Sequence, residues 1–282
     1  MSDTDTLLSE SAPATPAPAK PKSETRETLT FLLKLAIVVL IFRSFIFSPF
    51  SIPSESMLPR LLIGDYLFIS KWNYGYSKHS LPFSVPLIPG RIFAQLPTRG
   101  DVAVFKAPPG NQVDYIKRVI GLPGDTIQMR DGHLILNGVA VPKERVADFT
   151  IPLTPNFGPQ ECGAAYQDTD DKGQPICRYQ RFRETLPGGR SYDVLDRGTT
   201  IADDTGVFAV PEGHVFMMGD NRDDSADSRF PQVEGQGIGM VPLENLEGKA
   251  VIGFFSTDGS ASWLLPWTWF TAARWSRIGE GF

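Results

Sequence analysis

Asp114-Tyr115-Ile116-Lys117-Arg118-Val119-Ile120-Gly121-Leu122-Pro123-Gly124-Asp125, continuing through Thr126 to Val141, decides the fold. Asp114 to Ile120 is dominated by β-branched and aromatic side chains, and Gly121 to Asp125 has the glycines and proline of a closing turn. Three short runs follow, 126–130, 133–136 and 139–141, separated by Asp131-Gly132 and Asn137-Gly138. Both dipeptides tolerate the positive φ of a two-residue hairpin, so a meander is predicted. Working outward, Asp101-Val102-Ala103-Val104-Phe105, His214-Val215-Phe216-Met217-Met218 and Ala250-Val251-Ile252-Gly253-Phe254-Phe255 read as further strands. With 24 prolines and 26 glycines, the chain is mainly β. Residues 143–210 are polar and irregular, hold both cysteines and contain one hairpin around Pro187-Gly188-Gly189; they are read as a cap or small β region inserted between 49–142 and 211–282.

The N-terminal part follows different rules. Residues 1–27, with Ser11-Ala12-Pro13-Ala14-Thr15-Pro16-Ala17-Pro18-Ala19-Lys20-Pro21, have too little apolar content to offset ordering entropy and are read as a disordered tail. Leu29 to Phe47 is apolar, and as a helix would span roughly 28 Å, the thickness of bilayer hydrocarbon. Lys34 and Arg43 interrupt it near its ends, where long side chains reach the interface, and Pro49 follows. A cleaved signal peptide or an interfacial amphipathic helix are the alternatives. A retained anchor over 28–48 is favoured because Phe45-Ile46-Phe47 prolongs the apolar run and no small-x-small site follows it. Lys20, Lys22 and Arg26 on one side, against Arg60 on the other, put the tail in the cytoplasm and the rest outside it.

Charge excludes one large class. A formal net charge of −5 gives no basic footprint for nucleic acid. Cys162 and Cys177 are too few for a metal cage. Outside the cytoplasm they would form one disulfide, and in a cytosolic protein they would be two unrelated thiols; both remain open.

Chemistry enters with Ile52-Pro53-Ser54-Glu55-Ser56-Met57-Leu58-Pro59, a few residues beyond the apolar stretch. A serine hydroxyl is inert at neutral pH unless a base takes its proton. His79, His133 and His214 are the three histidines, and none sits in a recognisable catalytic setting. A neutral lysine is the remaining common activator, which pairs Ser56 with Lys117. A free lysine titrates near 10.4, so the site has to lower it by about two to three units, roughly 3 to 4 kcal/mol. Burial against Tyr115, Ile116 and Met57 is the expected means.

The Ser56 segment, Asp114-Tyr115-Ile116-Lys117-Arg118 with Gly121 to Asp125, and Gly219-Asp220-Asn221-Arg222-Asp223-Asp224-Ser225-Ala226-Asp227-Ser228-Arg229 together resemble bacterial type I signal peptidases. The resemblance covers three separated blocks, their order and the preceding anchor, and is weak over 143–210 and the tail. It implies a signal-peptidase-like β fold of coiled antiparallel sheets, shared with self-cleaving repressors, carrying one N-terminal transmembrane helix. It implies a Ser/Lys endopeptidase without cofactor or metal, which removes signal peptides from exported preproteins at the extracytoplasmic face of the inner membrane, near the secretion translocon. Ser56 is then the nucleophile, Lys117 the base, and the Ser54 hydroxyl with the Ser56 N–H the oxyanion hole. Ser225 would hydrogen-bond Lys117, while Asp227 and Arg229 brace the loop. Glu55, where many relatives have a smaller residue, is expected to point to solvent. Ile52, Pro53, Met57, Leu61, Tyr115 and Ile116 would line the pocket for the residue before the cut. Phe50, Val104, Asp114 and Ile116 would surround the pocket two residues earlier, giving an Ala-x-Ala preference.

Rival readings are specific. Asp223, Ser225, Asp227 and Glu234 fall at ligand positions of a calcium loop, but position 6 is Ser228 and no amphipathic helices flank it. A non-catalytic, membrane-tethered extracytoplasmic β scaffold, with or without calcium, would retain the fold. A self-cleaving repressor would share the dyad but need a DNA-binding helix-turn-helix. Trp263, Trp267, Trp269 and Trp275 crowd the last 20 residues, where they would form core or rest partly in the bilayer interface.

Overall fold

A computed structural model describes residues 24–262 and 264–282; the tail expected over 1–23, and Trp263, lie outside them. Two compact units are present, one ending at Val39 with Glu24–Val39 described, the other Leu40–Phe282. Helix α1 (Glu24–Phe45) is long and apolar enough to cross a membrane. Its Leu29, Phe31, Leu33 and Val38 are more than half exposed, as a segment covered by lipid rather than protein would leave them. The helix starts within the expected tail and stops before Phe47, which already belongs to a strand.

Strands follow in the order β1 (Phe47–Ser51), β2 (Asp65–Ser70), the short pair β3 (Tyr76–Ser77) and β4 (Arg91–Ile92), β5 (Val102–Lys106), β6 (Asp114–Gly121), β7 (Thr126–Arg130), β8 (His133–Leu136), β9 (Val139–Ala140) and β10 (Lys143–Pro152). After the single-turn α2 (Pro159–Cys162) come β11 (Gln167–Thr169), β12 (Pro175–Thr185), β13 (Ser191–Leu195), β14 (Phe208–Ala209), β15 (His214–Met218), β16 (Val241–Pro242), β17 (Leu246–Ser256) and the short α3 (Thr268–Ala272). The main sheet has the order β1-β2-β17-β5-β6-β15-β16, antiparallel throughout. A second sheet, β14-β7-β8-β9, holds the meander. Its turns put Asp131, Gly132, Asn137 and Gly138 at positive φ, the geometry that selected those residues.

Both faces of the main sheet are covered at β5, which explains why that strand is a continuous apolar run rather than an alternating one, whereas Tyr66, Ile252 and Phe254 on β2 and β17 stay exposed. Val102, Val104 and Ile116 face a cluster with Ile52, Met57 and Leu61; Ala103, Phe105 and Val119 face the opposite cluster with Val215, Met217 and Leu246. Pro49 stands within β1, an edge strand paired only to β2, where its missing N–H costs no ladder bond.

Residues 143–195 are more regular than their composition suggests. One edge of β12 pairs with β10; its other edge takes β11 at one end and β13 at the other. The expected hairpin lies between β12 and β13, at Leu186–Arg190. Cys162 and Cys177 form a disulfide with Cα atoms 5.8 Å apart. The bridge sits in a buried cluster with Leu58, Leu62, Phe157, Tyr179 and Leu195, so this region packs directly under the turn that carries Ser56.

Candidate active site

Lys117 lies on β6, opposite Ala103 of β5, and Ser56 lies in the turn between β1 and β2, where Leu58 N–H donates to the Glu55 carbonyl and Leu61 N–H to that of Met57. The two are 61 residues apart in sequence, yet Lys117 Nζ is 2.5 Å from Ser56 Oγ, with both residues buried. Burial lowers the Lys117 pKa to about 8, against the opposing pull of Asp227 and Asp220. Among the described residues Lys117 has no direct ion-pair partner, so the carboxylates of Asp227 and Asp220 offset the burial of an ammonium there only in part.

Ser54 Oγ is 3.4 Å from Ser56 Oγ and exposed. Among the described residues the Ser56 N–H has no partner. Two donors are therefore available beside the nucleophile, the arrangement that holds a developing oxyanion.

The turn is clamped by the loop after β15. Asn221 N–H donates to the Ser56 carbonyl (3.1 Å), and Asn221 Nδ2 to that of Glu55 (3.2 Å). Gly219 permits this contact, since a Cβ there would collide with both Ser225 Oγ and the Ser56 carbonyl oxygen. Ser225 is therefore beside the site, but its buried hydroxyl makes no hydrogen bond among the described residues. The expected bond to Lys117 is not formed, because Nζ is directed onto Ser56 instead. Asp227 and Arg229 pair at 2.9 Å, both fully buried, and Asp227 also accepts from the Gly219 N–H at 3.0 Å. Asp223 accepts from the Arg197 N–H and the Thr200 hydroxyl. Asp223 and Asp227 of the calcium-loop reading thus turn to separate partners, and among the described residues no cluster of His, Cys, Asp and Glu could hold a metal.

Sequence reading missed the rest of the clamp. Arg118 donates to Asp220 through Nε (2.7 Å) and Nη2 (2.6 Å). Arg222 forms a two-pronged pair with Glu184 of β12, which also accepts from the Tyr192 hydroxyl at 2.8 Å. Arg229 donates to the Arg222 carbonyl. Arg118, Asp220 and Arg222 stand inside the quoted blocks, where adjacency to assigned residues was a usable signal; Glu184 and Tyr192 sit in the weakly matching region and offered none.

Glu55 departs from expectation. It is half-buried with its carboxyl against Asp224, and its pKa is raised, first by burial and further by Asp224 and Glu161.

The expected pocket residues divide. Phe50, Ile52, Met57, Leu61, Val104 and Ile116 share one cluster, but Met57, Leu61 and Val104 are wholly covered and form its floor, while Phe50 and exposed Pro53 keep accessible surface. Tyr115 alternates to the other face of β6 from Ile116, and its ring lies 5.5 Å from Lys117 Nζ. Asp114 is held by Lys106 at 2.5 Å. Of the terminal tryptophans described, Trp267 and Trp275 are more than half exposed and Trp269 two-fifths exposed, so a purely core role is excluded.

The profile described as "Signal peptidase, peptidase S26" matches residues 25–255, and the chain belongs to that family. It is 39% identical over 239 residues to signal peptidase I of Rickettsia typhi, covering 82% of this chain and 79% of that one. It is 40% identical over 229 residues to signal peptidase I of Rickettsia akari, covering 78% and 76%. A solved signal peptidase I from Enterococcus faecalis V583 is 27% identical and covers 55% of this chain and 97% of its own, with a TM-score of 0.28. The protein is accordingly a hydrolase, a serine peptidase of the signal-peptide-removing family, and the non-catalytic scaffold reading is set aside.

Proposed function

We propose that Ser56 and Lys117 are the catalytic dyad of a membrane-anchored endopeptidase that cuts exported preproteins after an Ala-x-Ala-like site. The single observation that supports this most is the 2.5 Å contact between a buried amine and a buried hydroxyl, with the amine's pKa lowered to about 8. At pH 7 about a tenth of such amines are neutral, some three-hundredfold more than at the ordinary lysine value. Neutral Nζ accepts the Ser56 proton as Oγ attacks the scissile carbonyl. The carbonyl oxygen, gaining negative charge, takes hydrogen bonds from the Ser56 N–H and the Ser54 hydroxyl. The Lys117 ammonium then protonates the leaving amine, and the acyl-enzyme is released by water that Lys117 activates in the same way. Ser225, buried nearby with its hydroxyl unpaired, is read as the group that steadies Lys117 as it changes charge.

Substrate binding follows from an open strand edge. β15 pairs with β6 only from Arg118 onward, leaving 114–117 free on that side while β5 covers the other. An extended peptide can add there as a strand, its backbone giving affinity and small alternate pockets restricting side-chain size. α1 is read as the single-pass anchor in the cytoplasmic membrane, with the β unit outside the cytoplasm and close to the translocon that delivers its substrates; the disulfide suits that oxidising side.

The test compares wild type with Ser56→Ala and Lys117→Met on one preprotein across pH. Cleavage should vanish in both variants, and wild-type rate should rise with pH through about 8. Full activity of Lys117→Met would remove this mechanism.

A further inference from the structure

We propose that a cavity of about 600 Å³, bordered by Arg60 and Arg118 shortly after the two dyad residues in sequence, receives acidic side chains from the part of the substrate that follows the cut. This rests on the endopeptidase reading above and adds a recognition site on the far side of the scissile bond. Among the described residues lining the cavity, Arg60, Arg118, Arg181, Arg183, Arg190 and Arg277 face only two acids, Asp193 and Glu280. In a chain of formal net charge −5, that is a local reversal of sign.

Its place relative to the cut follows from the order along β6. Asp114 to Lys117 take the residues up to the scissile bond, so the peptide beyond it heads toward Arg118. There the pairing of Met218 with Arg118 closes the strand edge, and the peptide has to leave the sheet. The adjoining opening is bounded by Pro59 and Arg60, just after the nucleophile, by Arg118, just after the base, and by the arginines of β12 and its hairpin.

Arg118 is matched by Asp220 and Arg277 by Asp65, but the other four guanidinium groups are incompletely neutralised. Arg181 and Arg183 share the single carboxylate of Asp193, at 3.4 and 2.8 Å. Arg190 shares Asp101 with Lys249, at 2.7 and 2.8 Å. Among the described residues Arg60 has no carboxylate partner; it donates to the Gly281 carbonyl and lies over the Phe282 ring, 5.0 Å from its centre. An incoming carboxylate meets planar donors suited to two-pronged binding.

Two matched preproteins test this, one with Asp and Glu soon after the cut, the other with Asn and Gln there. Wild type should show roughly five- to tenfold higher kcat/KM on the acidic one, the size of one or two partly screened ion pairs, and salt should erase the difference. Arg60→Gln with Arg183→Gln should abolish the preference, and Arg183→Glu should move it toward a lysine-bearing substrate. Equal wild-type rates, or a preference that survives in the double variant, overturns the proposal. So does a defect that strikes both preproteins alike and only on vesicles of anionic lipid, which would assign the arginines to headgroups. A binding measurement separates this from failure of the protease reading. Ser56→Ala protein should bind a short fluorescent acidic peptide, and the two Gln substitutions should weaken that binding about fivefold or more, whether or not any preprotein is cut; unchanged binding contradicts the proposal.

Discussion

Among the described residues Lys117 is buried without a directly paired counter-charge, which is poor for stability and useful for chemistry. Its folded pKa, about 8, lies below that of the unfolded chain. The penalty is therefore absent above the unfolded value, grows as pH falls through the interval, and is complete below the folded one, reaching about 3 kcal/mol. Lys117→Met should accordingly be inactive yet more stable than wild type at pH 7, with the gap closing above pH 8; thermal unfolding at several pH values reads this directly, and a less stable variant at pH 7 speaks against it. Ser54 is a separate case, exposed and chemically modest on its own. Ser54→Ala should lower kcat about a hundredfold to a thousandfold with little change in melting temperature, as loss of one oxyanion donor does. Ser56, Ser54 and Lys117 were legible because nucleophile, base and neighbouring turn each leave a short local pattern. Glu55 was not, since its surroundings come from Asp224 and Glu161, distant in sequence and brought together only by the fold.

Among the elements, the strands that could be read were those whose ends are marked by residues of special backbone freedom, as at Asp131-Gly132 and Asn137-Gly138. β10 and β12 escaped because Lys143-Glu144-Arg145 in a mostly solvated strand, and Arg178, Arg181, Arg183 and buried Glu184 in a half-buried one, put charge on both faces and break up the apolar alternation. β1 escaped for another reason: its Phe47 extends the apolar run of α1, and Pro49 looked like a terminator. The loop after β15 is the element on which the site leans most. Glu184 is fully buried, with its pKa lowered in net by Arg222 and the Tyr192 hydroxyl against the pull of burial. Its stabilisation is present above the unfolded carboxylate value and lost as pH falls through the lower folded one, so the loop should loosen on the acid side. Glu184→Gln leaves Arg222 buried and half-paired, and should cost roughly 3–5 kcal/mol in denaturant unfolding with reduced kcat; a neutral result would show that the clamp is dispensable.

At the scale of the molecule, the inserted region acts as a foundation for the active-site turn. Leu58, two residues past the nucleophile, packs in the same cluster as the Cys162–Cys177 bridge. A cross-link across a 15-residue separation contributes about 3 kcal/mol by restricting the unfolded chain. Reduction, or Cys162→Ala with Cys177→Ala, should lower the melting temperature and reduce activity, while a variant that melts like wild type would detach the bridge from stability. Nothing in the sequence chose between bonded and free thiols, because the choice depends on a distance of 5.8 Å between backbones that composition does not encode. Family membership and a mainly β architecture were readable earlier, from three motif blocks and their order. The direct test of the central claim is the titration of the Lys117 ε-amine itself, followed by NMR with isotope-labelled lysine in Ser56→Ala protein. A midpoint near pH 8 is expected; a midpoint near the ordinary lysine value of 10.5 would contradict the neutral-amine mechanism.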